Sequence, residues 1–290
     1  MSSSESARAG CLYLIATPIG NLEDITLRAL RILKEADFIA CEDTRQTLKL
    51  LSHFQIRKPL ESYHEHNELL RAPELVLRME SGAQVALVSD AGTPVVSDPG
   101  HRLVSLCLRH NIPVVPVPGP SALIAALAAC GLPSDEFLFG GFLPARPGDR
   151  RRRLQALAPE PRSIVLYEAP HRLRPTLRDV FEIMGDRTAV VARELTKVHE
   201  EFVRGSVSEL MRLFEEREPR GEITLIVARA DGAPESQLGS TGDSRTLARR
   251  VRDISASQKL DRKAALKQAA KELGIPKREA YKRLLTEENS

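Results

Sequence analysis

Two short runs in this 290-residue chain carry the residue types that hold small molecules. The first, Ser89-Asp90-Ala91-Gly92-Thr93-Pro94-Val95-Val96-Ser97-Asp98-Pro99-Gly100, follows the apolar, β-prone stretch Val85 to Val88. Gly92 and Gly100 permit close backbone approach, the prolines stiffen the loop, and the Asp90 and Asp98 carboxylates accept hydrogen bonds from a ligand's amines or hydroxyls. The alternative is a structural loop in which Asp98 caps the following helix. The second run, Val117-Pro118-Gly119-Pro120-Ser121-Ala122, again leads from a strand end into a helix. Free amides at a helix start suit a carboxylate or the edge of a nucleoside.

Other chemistries lack their signatures. There is no G-x-x-x-x-G-K-[ST], no G-x-G-x-x-G after the first strand and no G-x-S-x-G, which speaks against nucleoside triphosphates, NAD and a serine nucleophile. Cys11, Cys41, Cys107 and Cys130 lie far apart in apolar contexts and are expected to be buried, reduced thiols. His64 and His66 share one face of an extended segment, a spacing that metals use, but no third ligand lies nearby in sequence. A structural or RNA-facing loop is the stronger expectation there, and no metal is expected. Arg150 to Arg153 begin a helix and either form a solvated face or contact phosphate.

The elements that must position these residues alternate between short β-prone runs and amphipathic stretches, the pattern of α/β domains around a largely parallel sheet. Strands are predicted at Leu12–Ala16, Phe38–Cys41, Val85–Ser89 and Val114–Val117, with helices at Thr26–Glu35, Thr44–Ser52, Pro73–Glu80, Gly100–Arg109 and Ser121–Ala129. A second series has strands near Phe137–Gly140, Ser163–Tyr167, Thr188–Ala192 and Ile223–Ala228. The polar loops then fall at strand C-terminal ends, where open α/β sheets bind ligands.

The expected organisation is an N-terminal α/β domain over 11–121, a second α/β domain over 122–230, a linker over 231–243 and a basic helical module over 244–290. From Ser240 onward there are thirteen Lys and Arg against seven Asp and Glu, so this tail carries +6 of a chain whose total is +3. Leu266, Ala269, Ala270 and Leu273 recur at helical spacing, Gly274 ends that helix, and Pro276 starts another with Tyr281 and Leu284 inward. This resembles a helix-turn-helix, a design shared with protein-packing modules. The longest nearly unbroken apolar stretch, Leu123 to Leu132, is half the length of a spanning helix, and the N-terminus shows no targeting signal. A cytoplasmic, non-membrane protein is expected.

Several motifs occur together in one order: Ala16-Thr17-Pro18-Ile19-Gly20-Asn21-Leu22-Glu23-Asp24, Cys41-Glu42-Asp43-Thr44-Arg45, the two loops above, Tyr167-Glu168-Ala169-Pro170-His171-Arg172, Arg193-Glu194-Leu195-Thr196-Lys197 and Gly221-Glu222. Over Leu12 to Arg229 the chain closely resembles the ribosomal RNA small subunit methyltransferase I family, within the tetrapyrrole methylase superfamily. The resemblance implies two α/β domains with S-adenosylmethionine in the cleft between them, a homodimer, and 2'-O-methylation of a cytidine ribose in 16S ribosomal RNA near the decoding centre, on free RNA or the small ribosomal subunit. By superfamily position, Pro18, Asp90, Gly92, Thr93, Ser121 and Ala122 are expected against the cofactor, with Tyr167 approaching from the second domain. Pro18-Ile19-Gly20-Asn21 replaces the Gly-x-Gly-x-Gly-Asp type loop of members acting on tetrapyrroles, and so argues against the alternative of a small tetrapyrrole-like substrate.

A ribose hydroxyl is a poor nucleophile, so a side chain that accepts its proton is expected. Glu168, Glu194 and Lys197 are the candidates, with a buried lysine pushed toward neutrality as one route. The competing reading pairs Glu194 with Lys197 merely to fix a loop. A non-catalytic nucleic-acid-binding protein would leave the two cradle loops unexplained.

Overall fold

The computed structural model describes residues 9–229, 251, 254–255, 261–272 and 280. The first lobe is built on five strands, β1 (Cys11–Ile15), β2 (Phe38–Cys41), β3 (Leu60–Ser62), β4 (Gln84–Val88) and β5 (Val114–Val117), in the order β3-β2-β4-β1-β5. Every pairing in it is parallel, so all five strands present their C-terminal ends at one edge. The reason β4 reads as a continuous apolar run is that both its faces are covered. Val85 and Leu87 enter one core beneath α3 (Glu68–Glu80) and α4 (His101–Arg109). Ala86 and Val88 enter the opposite core beneath α1 (Leu27–Glu35) and α2 (Thr44–His53).

After β5 the chain changes sheets. Helix α5 (Ala122–Cys130) packs Leu123, Ala126 and Leu127 against Val165, Val190 and Ile226 of a second five-stranded sheet. That sheet contains β6 (Phe137–Phe142), β7 (Ser163–Glu168), β8 (Thr188–Arg193), β9 (Glu201–Ser206) and β10 (Ile223–Val227), ordered β6-β7-β10-β8-β9. Only β6 with β7 is parallel; the other three pairings are antiparallel. Helices α6 (Pro147–Leu157), α7 (Pro170–Met184) and α8 (Val207–Glu216) cover its other face through Leu154, Leu173, Leu177, Leu210 and Phe214. Ile19 of the first lobe enters the α5 core, which joins the two lobes within one compact unit of residues 1–233.

One alternative falls away and three sequence expectations are corrected. Asp98 does not cap α4: the cap position is Gly100, at φ +137°, without a side-chain hydrogen bond. Helix α3 starts five residues before Pro73, because its first turn closes on the Asn67 carbonyl upstream of the proline. The edge strands β3 and β9 were not expected from the sequence. Of the four arginines, Arg150 is buried against Asp179 at 2.7 Å, and Arg151 bridges Asp179 and Glu182. These two are spent on pinning α6 to α7 and do not face phosphate.

Residues 234–290 form a second compact unit. Its helix Arg262–Glu272 buries Ala265, Leu266, Ala269 and Ala270 with Val251, Ile254 and Ala280 in a small core. The expected linker 231–243 and the positions Leu273, Gly274, Pro276, Tyr281 and Leu284 lie outside the described residues. The four cysteines are free and buried, and burial pushes the Cys107 thiol up. Among the described residues no helix is long and apolar enough to cross a membrane.

Candidate active site

The C-terminal edge of the parallel sheet faces the second lobe across a cavity of about 400 Å³. Its floor is the loop after β4. Thr17, just beyond β1, pairs its backbone with Gly92 in both directions at 2.9 and 3.0 Å, and its hydroxyl donates to the Ser89 carbonyl at 3.0 Å. Gly92 sits at φ +82°, and the loop forces Val95 to +74° and Ser97 to +65°. A β-branched residue in that region is strained, at a cost of about 1–3 kcal/mol that the surrounding structure must offset. The Thr93 hydroxyl ties this loop to the next by donating to the Pro120 carbonyl at 3.3 Å.

Carboxylates converge on this edge from different strands. Asp90 accepts the Asp43 amide at 3.1 Å. Burial, with Asp90 and Asp43 nearby, raises the pKa of Glu42. Asp98 is pushed up to about 6, first by burial and then by the charge of Glu42, against a hydrogen bond from Ser89. Asp43, paired with Arg45 at 2.7 Å, goes the other way, to about 2.

The opposite wall comes from the second lobe. Tyr167 packs edge-on to Phe139 at 5.0 Å between ring centres and tilts against Phe142 at 5.5 Å, and burial raises its pKa. Glu168 is buried, yet both oxygens are committed. Oε1 accepts the Ala169 amide at 2.9 Å and pairs with Arg172 at 3.1 Å, while Oε2 accepts the Thr176 hydroxyl. Those commitments anchor the start of α7 and set Glu168 against the role of proton acceptor.

Lys197 pairs with Glu194 at 2.9 Å and Glu222 at 3.2 Å. Burial disfavours its ammonium, but the two carboxylates outweigh burial and its pKa is raised. The Lys197 hydrogen bond lowers that of Glu194. The expectation of a lysine moved toward neutrality is therefore corrected: Lys197 is held protonated and has no lone pair to accept a proton.

Of the residues expected at the site, Asp90, Gly92, Thr93, Ser121, Ala122, Tyr167 and Glu168 line the cavity together. Pro18, Glu194 and Lys197 are not on its wall; their neighbours Ile19 and Leu195 and the partner Glu222 are. Sequence reasoning gave no role to Glu42. The usable signal was its position directly after β2, at the same sheet edge as Asp90. Elsewhere the His64 and His66 rings lie 5.9 Å apart, edge to face, and no cluster of three metal-ligating side chains occurs among the described residues.

A parallel sheet switching to a mixed one, with a strained loop on the floor of the cleft between them, is a specific architecture, and the sequence profile of the tetrapyrrole (corrin/porphyrin) methylases matches residues 11–211. The chain belongs to the tetrapyrrole methylase family. Among its curated relatives, proteins named ribosomal RNA small subunit methyltransferase I are 48% identical in Synechocystis (94% of this chain, 96% of that one) and 52% identical in Thermotoga maritima (76% and 98%). The Escherichia coli O157:H7 protein of that name is 45% identical, covering 96% of each chain. Among solved tetrapyrrole methylases, uroporphyrin-III-C-methyltransferase from Thermus thermophilus superposes with a TM-score of 0.54 at 25% identity, covering 76% of this chain and 95% of that one. A cobalt precorrin-4 methyltransferase reaches a TM-score of 0.57 at 20% identity, over 75% and 94%, a likeness of fold alone.

Proposed function

We propose that this tetrapyrrole methylase is an S-adenosylmethionine-dependent methyltransferase of small-subunit ribosomal RNA, acting on the 2'-oxygen of a cytidine ribose in 16S ribosomal RNA near the decoding centre. The observation that carries this reading is 48% identity over 94% of the chain to a protein named for that RNA class. The cavity suits the cofactor. It combines apolar surface from Ile19, Tyr167 and Leu195 with the carboxylates of Asp90 and Asp98, a donor set for a cationic, partly aromatic ligand. When bound, S-adenosylmethionine supplies an electrophilic methyl group on a sulfonium.

Asp90 would accept from the cofactor's donors, and Gly92 and Thr93 would present backbone to it. Ser121 and Ala122 open α5, where Ser121 makes no capping hydrogen bond of its own, so the free amides there suit a carboxylate. Pro18 would act through Ile19, shaping the loop under the cavity, and Tyr167 would close it from the second lobe. Holding two reactants in line removes about 7–11 kcal/mol of barrier at best, so most of what such a site does is positioning. Glu194 and Lys197 fit this reading as a fixture of the second-lobe rim.

The likeness to a uroporphyrin methyltransferase keeps a small tetrapyrrole-like substrate as the second reading, at 25% identity against 48% for the RNA enzyme. Mass spectrometry of unmodified 16S ribosomal RNA, free or in small subunits, after incubation with the protein and S-adenosylmethionine separates them. One added methyl on a cytidine, with the adjoining phosphodiester made resistant to alkali, is expected. Methylation of a porphyrin-type substrate instead would overturn the RNA reading. A homodimer and a cytoplasmic location complete the proposal; sedimentation of the purified chain tests the first, and fractionation of cells the second.

A further inference from the structure

We propose that Phe142, at the mouth of the cavity, is the platform on which the base of the target nucleotide stacks while its ribose is presented for methylation. This rests on the RNA methyltransferase reading above and assigns a substrate contact that reading leaves open.

The sequence of β6, Phe-Leu-Phe-Gly-Gly-Phe, aims that ring. In a regular strand alternate side chains share a face, so Phe137 and Phe139 would point one way and Phe142 the other. The register shifts between Phe139 and Gly141: Phe139 pairs with Val165, Gly141 with Leu166 and Phe142 with Tyr167. One extra residue is taken up there, which carries Phe142 to the face of Phe139. Both rings then pack on Tyr167, at 5.0 and 5.5 Å between centres. The bulge needs its glycines, since Gly141 lies at φ +62° and a Cβ at Gly140 would fall 2.7 Å from the Leu166 side chain. Beyond the ring, Leu143 is buried in the second-lobe core, and Arg172 donates to the carbonyls of Leu143 and Pro144 at 2.6 and 3.1 Å.

Phe142 is therefore fixed along the chain on both sides, yet 57% of it is exposed. Phe139 packs against the α5 core, whereas Phe142 lines the cavity wall and meets solvent. Apolar surface kept in water is a cost to the fold, and here a bulge and an arginine maintain it. A flat apolar group that covers the ring on binding removes that cost. The cofactor is not that group: a small molecule buries most of its surface, and the inner wall already offers Ile19, Tyr167 and Leu195 beside the carboxylates. The exposed end of the wall is where the second reactant enters. An enzyme that acts on one nucleotide of a folded RNA turns it out of its stack, and bases so freed are held on aromatic side chains.

The test compares wild type with Phe142→Leu, Phe142→Tyr and Phe142→Trp, all first checked for cooperative thermal unfolding and unchanged sedimentation. Affinity for unmodified 16S ribosomal RNA, measured by filter binding, should fall about ten-fold in Phe142→Leu, which keeps apolar surface but loses the ring. Phe142→Tyr should stay near wild type. Calorimetric affinity for S-adenosylhomocysteine should remain within about three-fold in each, as loss of a base contact alone requires. The chain contains no tryptophan, so Phe142→Trp supplies a single indole at the platform. Its emission should be quenched by the RNA in the presence of S-adenosylhomocysteine and left unchanged by S-adenosylhomocysteine alone. RNA affinity of Phe142→Leu within about two-fold of wild type would overturn the platform and leave the RNA reading standing. Indole emission that answers to S-adenosylhomocysteine alone would overturn it too, by giving the ring to the cofactor, and altered sedimentation of Phe142→Leu would do so by giving it to a second copy of the chain. A wild type inactive on RNA overturns both.

Discussion

The rims of the two lobes hold their carboxylates in opposite ways. On the parallel sheet, Asp43 pairs with Arg45, but Glu42 and Asp98 have no ion pair among the described residues, and burial followed by neighbouring carboxylates, Asp90 for Glu42 and Glu42 for Asp98, raises their pKa values. On the mixed sheet, Glu168 meets Arg172, Glu194 meets Lys197, and Glu201 meets both Arg193 and Arg217. Glu168–Arg172 and Glu194–Lys197 are local pairs, four and three residues apart, and the rest of the contrast follows from topology. Parallel strands deliver several chain ends to one edge, where acidic side chains from distant segments are crowded together. Antiparallel strands return next to one another and bring complementary charges across the ladder, as Arg193 of β8 does opposite Glu201 of β9. One rim stores electrostatic tension and the other discharges it. The first should therefore serve function at the expense of stability, and the second the reverse.

Glu168→Ala is the hardest test of the second rim. Removing a fully buried carboxylate leaves Arg172, whose side chain is 18% exposed, without its counter-charge, and should destabilise the lobe by about 3 kcal/mol or more in denaturant titration. Asp90→Ala tests the first rim from the other side. Its cost should appear in calorimetric affinity for S-adenosylmethionine, about 1.5–3 kcal/mol for a lost charged acceptor, with the unfolding midpoint little changed. An unchanged dissociation constant would move Asp90 to a purely structural role.

Glu201→Gln should cost about 1 kcal/mol at neutral pH, since the group is partly exposed. Arg217 and Arg193 lower the folded-state pKa of Glu201 to about 2, so its contribution is present above the ordinary glutamate range and drains away as pH falls toward 2. Urea titrations of wild type and variant should converge at acid pH; a constant offset would mean that packing, not charge, is what Glu201 supplies.

The smallest effect has the opposite sign. Because Asp98 binds its proton more tightly folded than unfolded, it weighs against the fold at pH 7 and not below the ordinary aspartate range. Asp98→Asn should raise the melting temperature slightly at pH 7, and the gain should vanish near pH 4. A variant less stable than wild type at pH 7 would break the proposed division between the rims.

How much of this was legible in sequence depends on whether a feature is local. The loop after β4 declared itself through two glycines, two aspartates and its position behind Val85–Val88. Glu42 and Asp98 also lie next to recognisable strand ends or turns, but their mutual repulsion exists only once β2 and β4 are neighbours. The lysine went astray for the same reason: Glu222, twenty-five residues on, joins Glu194 in holding the charge of Lys197. Strand β9 escaped because an edge strand half-exposed along its length shows little apolar alternation.

Two glycines on opposite sides of the cleft take on a further meaning beside the Glu194–Lys197 pair. A methyl group at Gly20, on the first lobe, would collide with the Lys197 stem, and one at Gly221 would collide with the Glu194 side chain. The pair is thus clasped like a rivet between two bare stretches of backbone, one from each half of the molecule. Adding a single carbon at Gly20 would act as a shim under the rivet's head, setting the spacing between the lobes without touching any group that meets a ligand.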